Sequence, residues 1–97
     1  MNWEITNNSG WLTLIDYEEL VSLFNHLLDY ADFEVLDFME HHFYPQGYTA
    51  VWLLGESHLA VHTFDEDGKT YWELSSCNAG KQKLFLTELD KYDYGID

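Results

Sequence analysis

The apolar side chains of an early segment recur with the spacing of an α-helix. They are Leu20, Leu23, Phe24, Leu27 and Leu28, at positions i, i+3, i+4, i+7 and i+8. This pattern predicts an amphipathic helix over residues 17–31 that buries one face. Asp16 is suited to cap its first turn, where Glu18 and Glu19 are favoured by the positive end of the helix dipole.

Strand patterns follow the predicted helix. Phe33–Glu40 alternates weakly between apolar and polar residues, and Tyr48–Leu54 is a nearly continuous apolar run that is typical of a central strand. Three further strands are predicted at His58–Phe64, Tyr71–Cys77 and Lys83–Leu89.

Turn residues separate these segments. Trp3–Thr6 is predicted as a short first strand, Asn7–Gly10 as a turn cluster and Pro45–Gly47 as a second turn. The chain shows neither an internal repeat nor a linker. Its 97 residues therefore predict a single domain over residues 1–97.

The loop Asp65–Gly68 ends in Asp-Gly, which is a strong hairpin signal between two apolar runs. A loop with an even number of residues pairs even positions of the first strand with odd positions of the second, and opposed residues share a face. One face is expected to form the core, with Leu59, Val61, Trp72 and Leu74. The other face carries His58, Ala60, His62, Phe64, Tyr71, Glu73, Ser75 and Cys77.

This hairpin also brings reactive side chains together. If Asp67-Gly68 is a two-residue turn, Cys77 lies opposite His58. Glu73 then lies opposite His62. The hairpin is expected in either case to bring Cys77 near the end of the strand where Ser57 lies.

Charge and composition narrow the functional classes. The chain has 18 acidic residues and four lysines, a net charge of −14, which argues against binding nucleic acid and favours a cationic small molecule. A chain of this length has a small core and gains from self-association. We find no apolar run long enough to span a membrane and no signal peptide, and a single cysteine forms no internal disulfide. A cytoplasmic location is therefore expected.

The reactive groups permit several interpretations. A histidine or a lone cysteine is often structural, buried in a core. Two histidines and Cys77 could also bind zinc, with His41 or His42 as a further ligand, but their spacing matches no compact zinc motif, and we predict no metal site. A Cys–His hydrolase is conceivable, but the sequence around Cys77 has no nucleophile signature.

A family resemblance fits these residues better. The chain resembles the pyruvoyl-dependent S-adenosylmethionine decarboxylases of bacteria and archaea, from the helix to the last strand. The matching residues are Glu56-Ser57-His58, His62-Thr63, Glu66 and Cys77, at the family's relative spacing, with Phe43, Pro45, Gly47 and Thr49 upstream.

The resemblance implies a proenzyme that cuts itself between Glu56 and Ser57. Ser57 would attack the carbonyl group of Glu56, and elimination would leave a pyruvoyl cofactor made from Ser57. His62 would be the base for this step, with Thr49 holding the ester intermediate and His58 supporting the processing. The pyruvoyl carbonyl would form a Schiff base with the substrate amine and act as an electron sink. Cys77 would then donate the proton that replaces carbon dioxide.

The resemblance also implies how the substrate is held. Phe43 and Phe64 would stack on adenine and face the sulfonium, Glu66 would bind the ribose hydroxyls, and Leu59 would be a further contact. The implied activity is decarboxylation of S-adenosylmethionine for spermidine synthesis. Two alternatives stay open: a pyruvoyl decarboxylase of arginine or ornithine, and an uncleaved regulatory relative without catalytic activity.

The chain departs from the family pattern at two places. Only residues 78–82 separate Cys77 from the predicted strand Lys83–Leu89, too few for the family's second helix, and Asp65 replaces a common proline. The predicted fold class is therefore α+β, a two-layer α/β sandwich in which an antiparallel sheet carries one main helix on one face. Because one helix leaves much of the sheet uncovered, we expect a homodimer or higher homo-oligomer.

Overall fold

A computed structural model describes residues 4–96 of the chain. Its elements are, in chain order, β1 (Thr6–Leu12), α1 (Tyr17–Tyr30), β2 (Val35–His42), β3 (Tyr48–Leu54), β4 (Ser57–Phe64), β5 (Lys69–Ser76), α2 (Ala79–Leu89) and β6 (Gly95–Ile96). The strands form one antiparallel sheet in the order β2-β3-β4-β5-β1-β6. Both helices pack on one face of it, so the α+β two-layer class is confirmed. Neither α1 nor α2 has the length and apolar character of a membrane span.

Helix α1 forms for the reasons that the sequence indicates. The Asp16 side chain accepts a hydrogen bond from the backbone N–H of Glu19 at 3.0 Å, which closes the first turn. All five residues of the predicted apolar stripe are buried. Across the core, the indole Nε1 of Trp52 donates to Asn25 Oδ1 at 2.8 Å and fixes the helix on the sheet.

The core lies between the helices and the inner face of the sheet. The inner residues of the β4–β5 hairpin are all buried, as predicted: Leu59, Val61, Trp72 and Leu74. Each large apolar side chain that leaves water contributes about 1.5–3 kcal/mol to folding. The opposite face of the sheet is not covered by either helix.

The prediction of a strand over Lys83–Leu89 is wrong, because this segment belongs to helix α2. Asn78 caps the helix by accepting a hydrogen bond from the backbone N–H of Lys81 at 2.9 Å. Residues at helical spacing then turn inward, and Phe85 packs on Phe24 and Trp72. The chain therefore has the second helix that its short Cys77-to-Lys83 spacing argued against.

A buried carboxylate ties the two helices together near their ends. Glu88 on α2 accepts from His26 on α1 at 2.7 Å and from Lys91 at 2.8 Å. The hydrogen bonds from Lys91 and then from His26 lower the pKa of Glu88, so the carboxylate stays ionised at neutral pH.

The first strand is also displaced from its predicted place. Trp3 lies outside the described residues, and the Asn7–Gly10 segment predicted as a turn forms the middle of β1. Long-range contacts stabilise this polar strand: Gln82 Nε2 on α2 donates to the carbonyl oxygen of Thr6 at 3.0 Å. Gly10 crosses close to Trp72, where an added Cβ would lie 3.0 Å from the indole Nε1.

The hairpin loop has four residues rather than two, since Phe64 pairs with Lys69. Its even length confirms which residues share a face, but the two-residue register is wrong. His58 lies opposite Ser75, and His62 lies opposite Tyr71.

Candidate active site

The Glu56–Ser57 bond lies in the tight connection between β3 and β4. Leu54 pairs with Ser57, so only Gly55 and Glu56 make the turn. Glu56 has a φ of 55°, in the left-handed region that a residue with a side chain enters at a cost of about 1–2 kcal/mol. The backbone N–H of Gly55 donates to the carbonyl oxygen of Glu34 at 3.2 Å, which holds the turn against the segment before β2.

Cys77 lies directly beside this bond. Ser76, the last residue of β5, pairs with Ser57, so the next residue of the chain reaches the turn. The Cys77 thiol donates to the carbonyl oxygen of Glu56, with Sγ and O 3.8 Å apart, and Sγ lies 3.7 Å from Glu56 Oε2. The prediction that the hairpin brings Cys77 to the Ser57 end of the strand is confirmed.

A second group of polar side chains lies at the other end of β4. Thr49 and His62 pair across β3 and β4, and Thr49 Oγ1 lies 2.9 Å from His62 Nδ1 in a hydrogen bond. The neighbouring Tyr48 donates its phenol proton to Glu40 Oε1 at 2.6 Å. Burial, followed by this hydrogen bond, raises the pKa of Tyr48, so its phenol stays neutral. Tyr48 lies on the buried face of β3, whereas Thr49 and His62 lie on the open face of the sheet.

Exposed aromatic side chains and Glu66 lie near this second group. Phe64 is 45% exposed and Phe43 is 51% exposed. Phe64 packs against Trp11 of β1, with ring centroids 5.5 Å apart. Glu66, in the turn Asp65–Asp67, accepts from Gln46 Nε2 at 3.3 Å, and the Phe43–Gly47 loop therefore closes over the same end of the sheet.

The predicted site residues thus form two groups rather than one. Ser57 and His62 are five residues apart on an extended strand, a distance of about 16 Å at 3.3 Å per residue. Glu56, Ser57 and Cys77 lie at one end. The other end holds Thr49, His62, Phe43, Phe64 and Glu66. Within one chain, His62 does not reach the Glu56–Ser57 bond.

His58 and Leu59 have different surroundings. His58 is exposed on the open face of the sheet, next to the Ser57 end, between Leu53 and Ser75. Leu59 points the other way and is completely buried in the core. The substrate contact at Leu59 stays a prediction, and the burial of its side chain leaves the backbone to make that contact.

A cavity of about 290 Å³ surrounds the Glu56–Ser57 bond. Its lining consists of Phe33, Glu34, Gly55, Glu56, Ser57, Cys77, Asn78 and Lys81. Sequence reasoning missed Glu34, Asn78 and Lys81. Helix α2 brings Asn78 and Lys81 to the turn, and a backbone hydrogen bond to Gly55 brings Glu34 there. The Asn78 cap signal could have revealed that helix. Trp11 was missed because β1 was predicted to end at Thr6.

The part of the chain that the structure describes, residues 4–96, holds no group of three or more His, Cys, Asp or Glu side chains arranged to bind a metal ion. One end of β4 presents a thiol and a hydroxyl beside the turn in which Glu56 is left-handed, and the other end presents a Thr–His pair beside exposed aromatic rings.

Comparison with known proteins agrees with the spacing of these residues. Residues 9–92 match the family model for S-adenosylmethionine decarboxylase. The S-adenosylmethionine decarboxylase proenzyme of Persephonella marina is 38% identical over 68 residues, which cover 70% of this chain and 50% of that protein. The proenzyme of Prochlorococcus marinus is 42% identical over 61 residues, covering 63% and 49%. The chain spans about half the length of the curated relatives it matches.

A solved structure has the same fold. The crystal structure of the adenosylmethionine decarboxylase from Aquifex aeolicus aligns with a TM-score of 0.72 at 22% identity, covering 93% of this chain and 83% of that chain. That likeness concerns the fold, whereas the family model extends over most of the sequence, including both ends of β4. The chain belongs to the S-adenosylmethionine decarboxylase family.

Proposed function

We propose that the chain cleaves itself between Glu56 and Ser57 and then decarboxylates S-adenosylmethionine with a pyruvoyl group made from Ser57. One observation carries this proposal: the only thiol of the protein lies 3.8 Å from the carbonyl oxygen of the bond that is cut. Family membership and the names of the relatives support the same activity. No feature of the structure favours an uncleaved regulatory protein, which has no use for Ser57, His62 and Cys77 together.

Cleavage follows from the chemistry of the turn. Ser57 Oγ attacks the Glu56 carbonyl carbon, and the amide C–N bond breaks as the ester forms and the serine nitrogen takes up a proton. Removal of the Ser57 Cα proton then expels the Glu56 carboxylate from Cβ. Water replaces the nitrogen, releasing ammonia and leaving a ketone at the new chain start. The left-handed Glu56 stores strain of about 1–2 kcal/mol at the carbonyl group under attack.

The residues around the turn fit a pyruvoyl group. Ser57 is 8% exposed and begins β4, so the new chain start stays fixed by its strand. When present, the group supplies a carbonyl that accepts the electrons released with carbon dioxide. The Cys77 thiol is held at this carbonyl end and donates a proton from Sγ to the substrate Cα.

The separation of the two groups supports a site that is shared between two copies of the chain. His62 lies about 16 Å from Ser57 on the same strand, beyond the reach of any proton transfer. The open face of the sheet has an apolar centre, where Met39 pairs with Val51 and Val51 pairs with Ala60. Stacking two such faces buries this centre, and we propose a homodimer of this kind.

Symmetry shows why two copies complete the site. A two-fold axis that lies between the stacked sheets and crosses the strands near Ala60 reverses the strand direction. The strand end of one copy, with the Glu56–Ser57 turn and the exposed Cys77, then faces position 62 of the other, because the axis passes midway between positions 57 and 62. The Ser57 side chain itself lies on the core side of its strand, with Leu59. Each dimer has two sites, and each site combines Ser57 and Cys77 of one chain with Thr49 and His62 of its partner.

Mixing two inactive variants tests this arrangement. Ser57→Ala and His62→Ala should each be inactive alone, since each lacks one half of every site. After coexpression, half of the dimers are mixed and carry one intact site of two, so activity should return to about a quarter of wild type. Cleaved chains should appear only in the mixture. A mixture that stays inactive contradicts a site shared between two chains.

The side chains at the His62 end of the sheet indicate which substrate the protein binds. Phe43 and Phe64 offer exposed rings that suit adenine and a sulfonium cation, and Glu66 suits the ribose hydroxyls. Arginine and ornithine have no aromatic ring that could stack on Phe43 and Phe64, and the names of the relatives do not favour these amino acids. We expect carbon dioxide release from S-adenosylmethionine and none above background from arginine or ornithine in parallel assays. Preferential release from either amino acid contradicts the proposed substrate.

A further inference from the structure

Lys81 lies close to the proposed cleavage site but has no role in the proposed catalysis. It is half-buried in the first turn of α2 and lines the cavity around Glu56 and Ser57. Its Nζ lies 5.8 Å from the centroid of the Phe33 ring, a cation–π distance. Among residues 4–96, no carboxylate oxygen comes within 4.0 Å of this ammonium. In a chain with a net charge of −14, a half-buried lysine without an ion pair is unexpected.

Self-cleavage changes the charge of the same cavity. The Glu56 carbonyl, neutral in the intact chain, becomes an α-carboxylate when the bond from its ester oxygen to Ser57 Cβ breaks. Glu56 already carries a side-chain carboxylate, and the Glu34 carboxylate lies near Gly55, where an added Cβ would be 4.0 Å from Oε2. The cavity then holds three carboxylates, and Lys81 is the one lysine in its lining.

We infer that Lys81 is the counter-ion of the carboxylate that cleavage creates at Glu56. The inference rests on the proposed self-cleavage. The ammonium offsets repulsion among the three carboxylates and holds the new chain end at the site, where the Cys77 thiol must stay aligned. The positive end of α2 lies at the same cavity and acts in the same direction. Lys81 thereby stabilises the cleaved protein and contributes little to the intact precursor.

A double-mutant comparison measures this preference for the cleaved state. Lys81→Met is made in the wild-type chain and in the uncleavable Ser57→Ala chain, and thermal unfolding midpoints are recorded at low salt. We expect Lys81→Met to lower the midpoint of the cleaved protein by about 2–6 °C more than that of the uncleaved protein. The extra fall should shrink at high salt. Lys81→Arg, which keeps the charge, should restore the wild-type value.

Lys83 provides a matched control, since it is an exposed lysine on the same helix outside the cavity lining. Lys83→Met should shift the cleaved and uncleaved midpoints equally. Equal shifts for Lys81→Met in a protein whose mass shows cleavage overturn the counter-ion role and leave the proposed function intact. A single uncleaved mass in the wild-type chain overturns the proposed function, and the inference with it.

A second measurement addresses the carboxylate itself. In protein labelled at the backbone carbonyl carbon of glutamate, cleavage turns one labelled peptide carbonyl into a free α-carboxylate. The pKa of this carboxylate, followed by its carbon-13 resonance, reports the balance between Lys81, which lowers it, and the carboxylates of Glu34 and the Glu56 side chain, which raise it. Lys81→Met should raise that pKa, whereas Lys83→Met should leave it unchanged. A pKa that does not respond to Lys81→Met overturns the assignment.

Discussion

Replacing Ser57 by alanine is expected to leave one uncleaved chain without decarboxylase activity. The substitution removes the Oγ atom that attacks the Glu56 carbonyl, so neither the ester nor the pyruvoyl group can form. The loss is complete rather than partial, because the pyruvoyl group is made from residue 57 itself and the hydroxyl of the paired Ser76 cannot replace its Oγ. Ser57 is 8% exposed at the start of β4, and alanine fits the same strand position with little effect on folding.

Intact mass and carbon dioxide release measure this result together. Ser75→Ala is the matched control, since Ser75 lies on the adjacent strand opposite His58 and carries no role in the account. That variant should be cleaved and active like the wild-type chain. A Ser57→Ala chain that is still cut at residue 56 contradicts the proposed chemistry.

Replacing Cys77 by alanine is expected to separate processing from turnover. Cleavage requires the Ser57 hydroxyl and a base, so the variant chain should still be cut. Turnover should fall by about 10²–10⁴-fold, the usual contribution of a positioned general acid. The Cys77 Sγ lies 3.8 Å from the Glu56 carbonyl oxygen, so the deletion removes the proton at the site of the new carbonyl. The KM should change little, because other side chains, Phe43, Phe64 and Glu66, make the predicted substrate contacts.

The kinetic constants of Cys77→Ala and the masses of its chains check this separation. Cys77→Ser, which keeps a proton donor of similar size, should recover part of the lost kcat. An unchanged kcat in Cys77→Ala removes Cys77 as the proton donor. A Cys77→Ala chain that is not cut assigns the thiol to processing and contradicts the division of roles.

Local sequence patterns correctly predicted the elements whose structure depends on neighbouring residues. The spacing of the apolar stripe and the Asp16 cap predicted α1, and the observed helix Tyr17–Tyr30 agrees with the expected range. The even length of the Asp65–Gly68 loop predicted which hairpin residues share a face. The same rule predicted that Cys77 lies at the Ser57 end of β4, as the structure shows.

Long-range packing decided the elements that the sequence did not predict. The segment Lys83–Leu89 contains the short apolar run Leu84–Leu86, which is compatible with a strand, but Phe85 is buried against Phe24 and Trp72, which favours the helix. Asn7–Gly10 has the composition of a turn, but Gln82 on α2 bonds the Thr6 carbonyl and the Asn8 side chain and holds the segment as a strand. Neither contact is visible in a window of neighbouring residues.

A sequence motif also cannot indicate that the site residues form two separate groups. Family spacing identifies Ser57 and His62, but it carries no information about which chain supplies each residue. Strand geometry separates the two residues, because five residues of an extended strand cover about 16 Å, and this distance is the basis of the proposed site shared between two chains. The proposed role of Lys81 also depends on the fold, since only the fold brings α2 to the Glu56–Ser57 turn.

The central claim is that the chain makes its own catalytic group by cutting the Glu56–Ser57 bond, and intact-mass measurement of the purified protein tests it most directly. We predict two fragments, one ending at Glu56 and one beginning at position 57, the second lacking the serine amine and carrying a pyruvoyl group instead. A single mass for the full 97 residues after prolonged incubation would contradict the account.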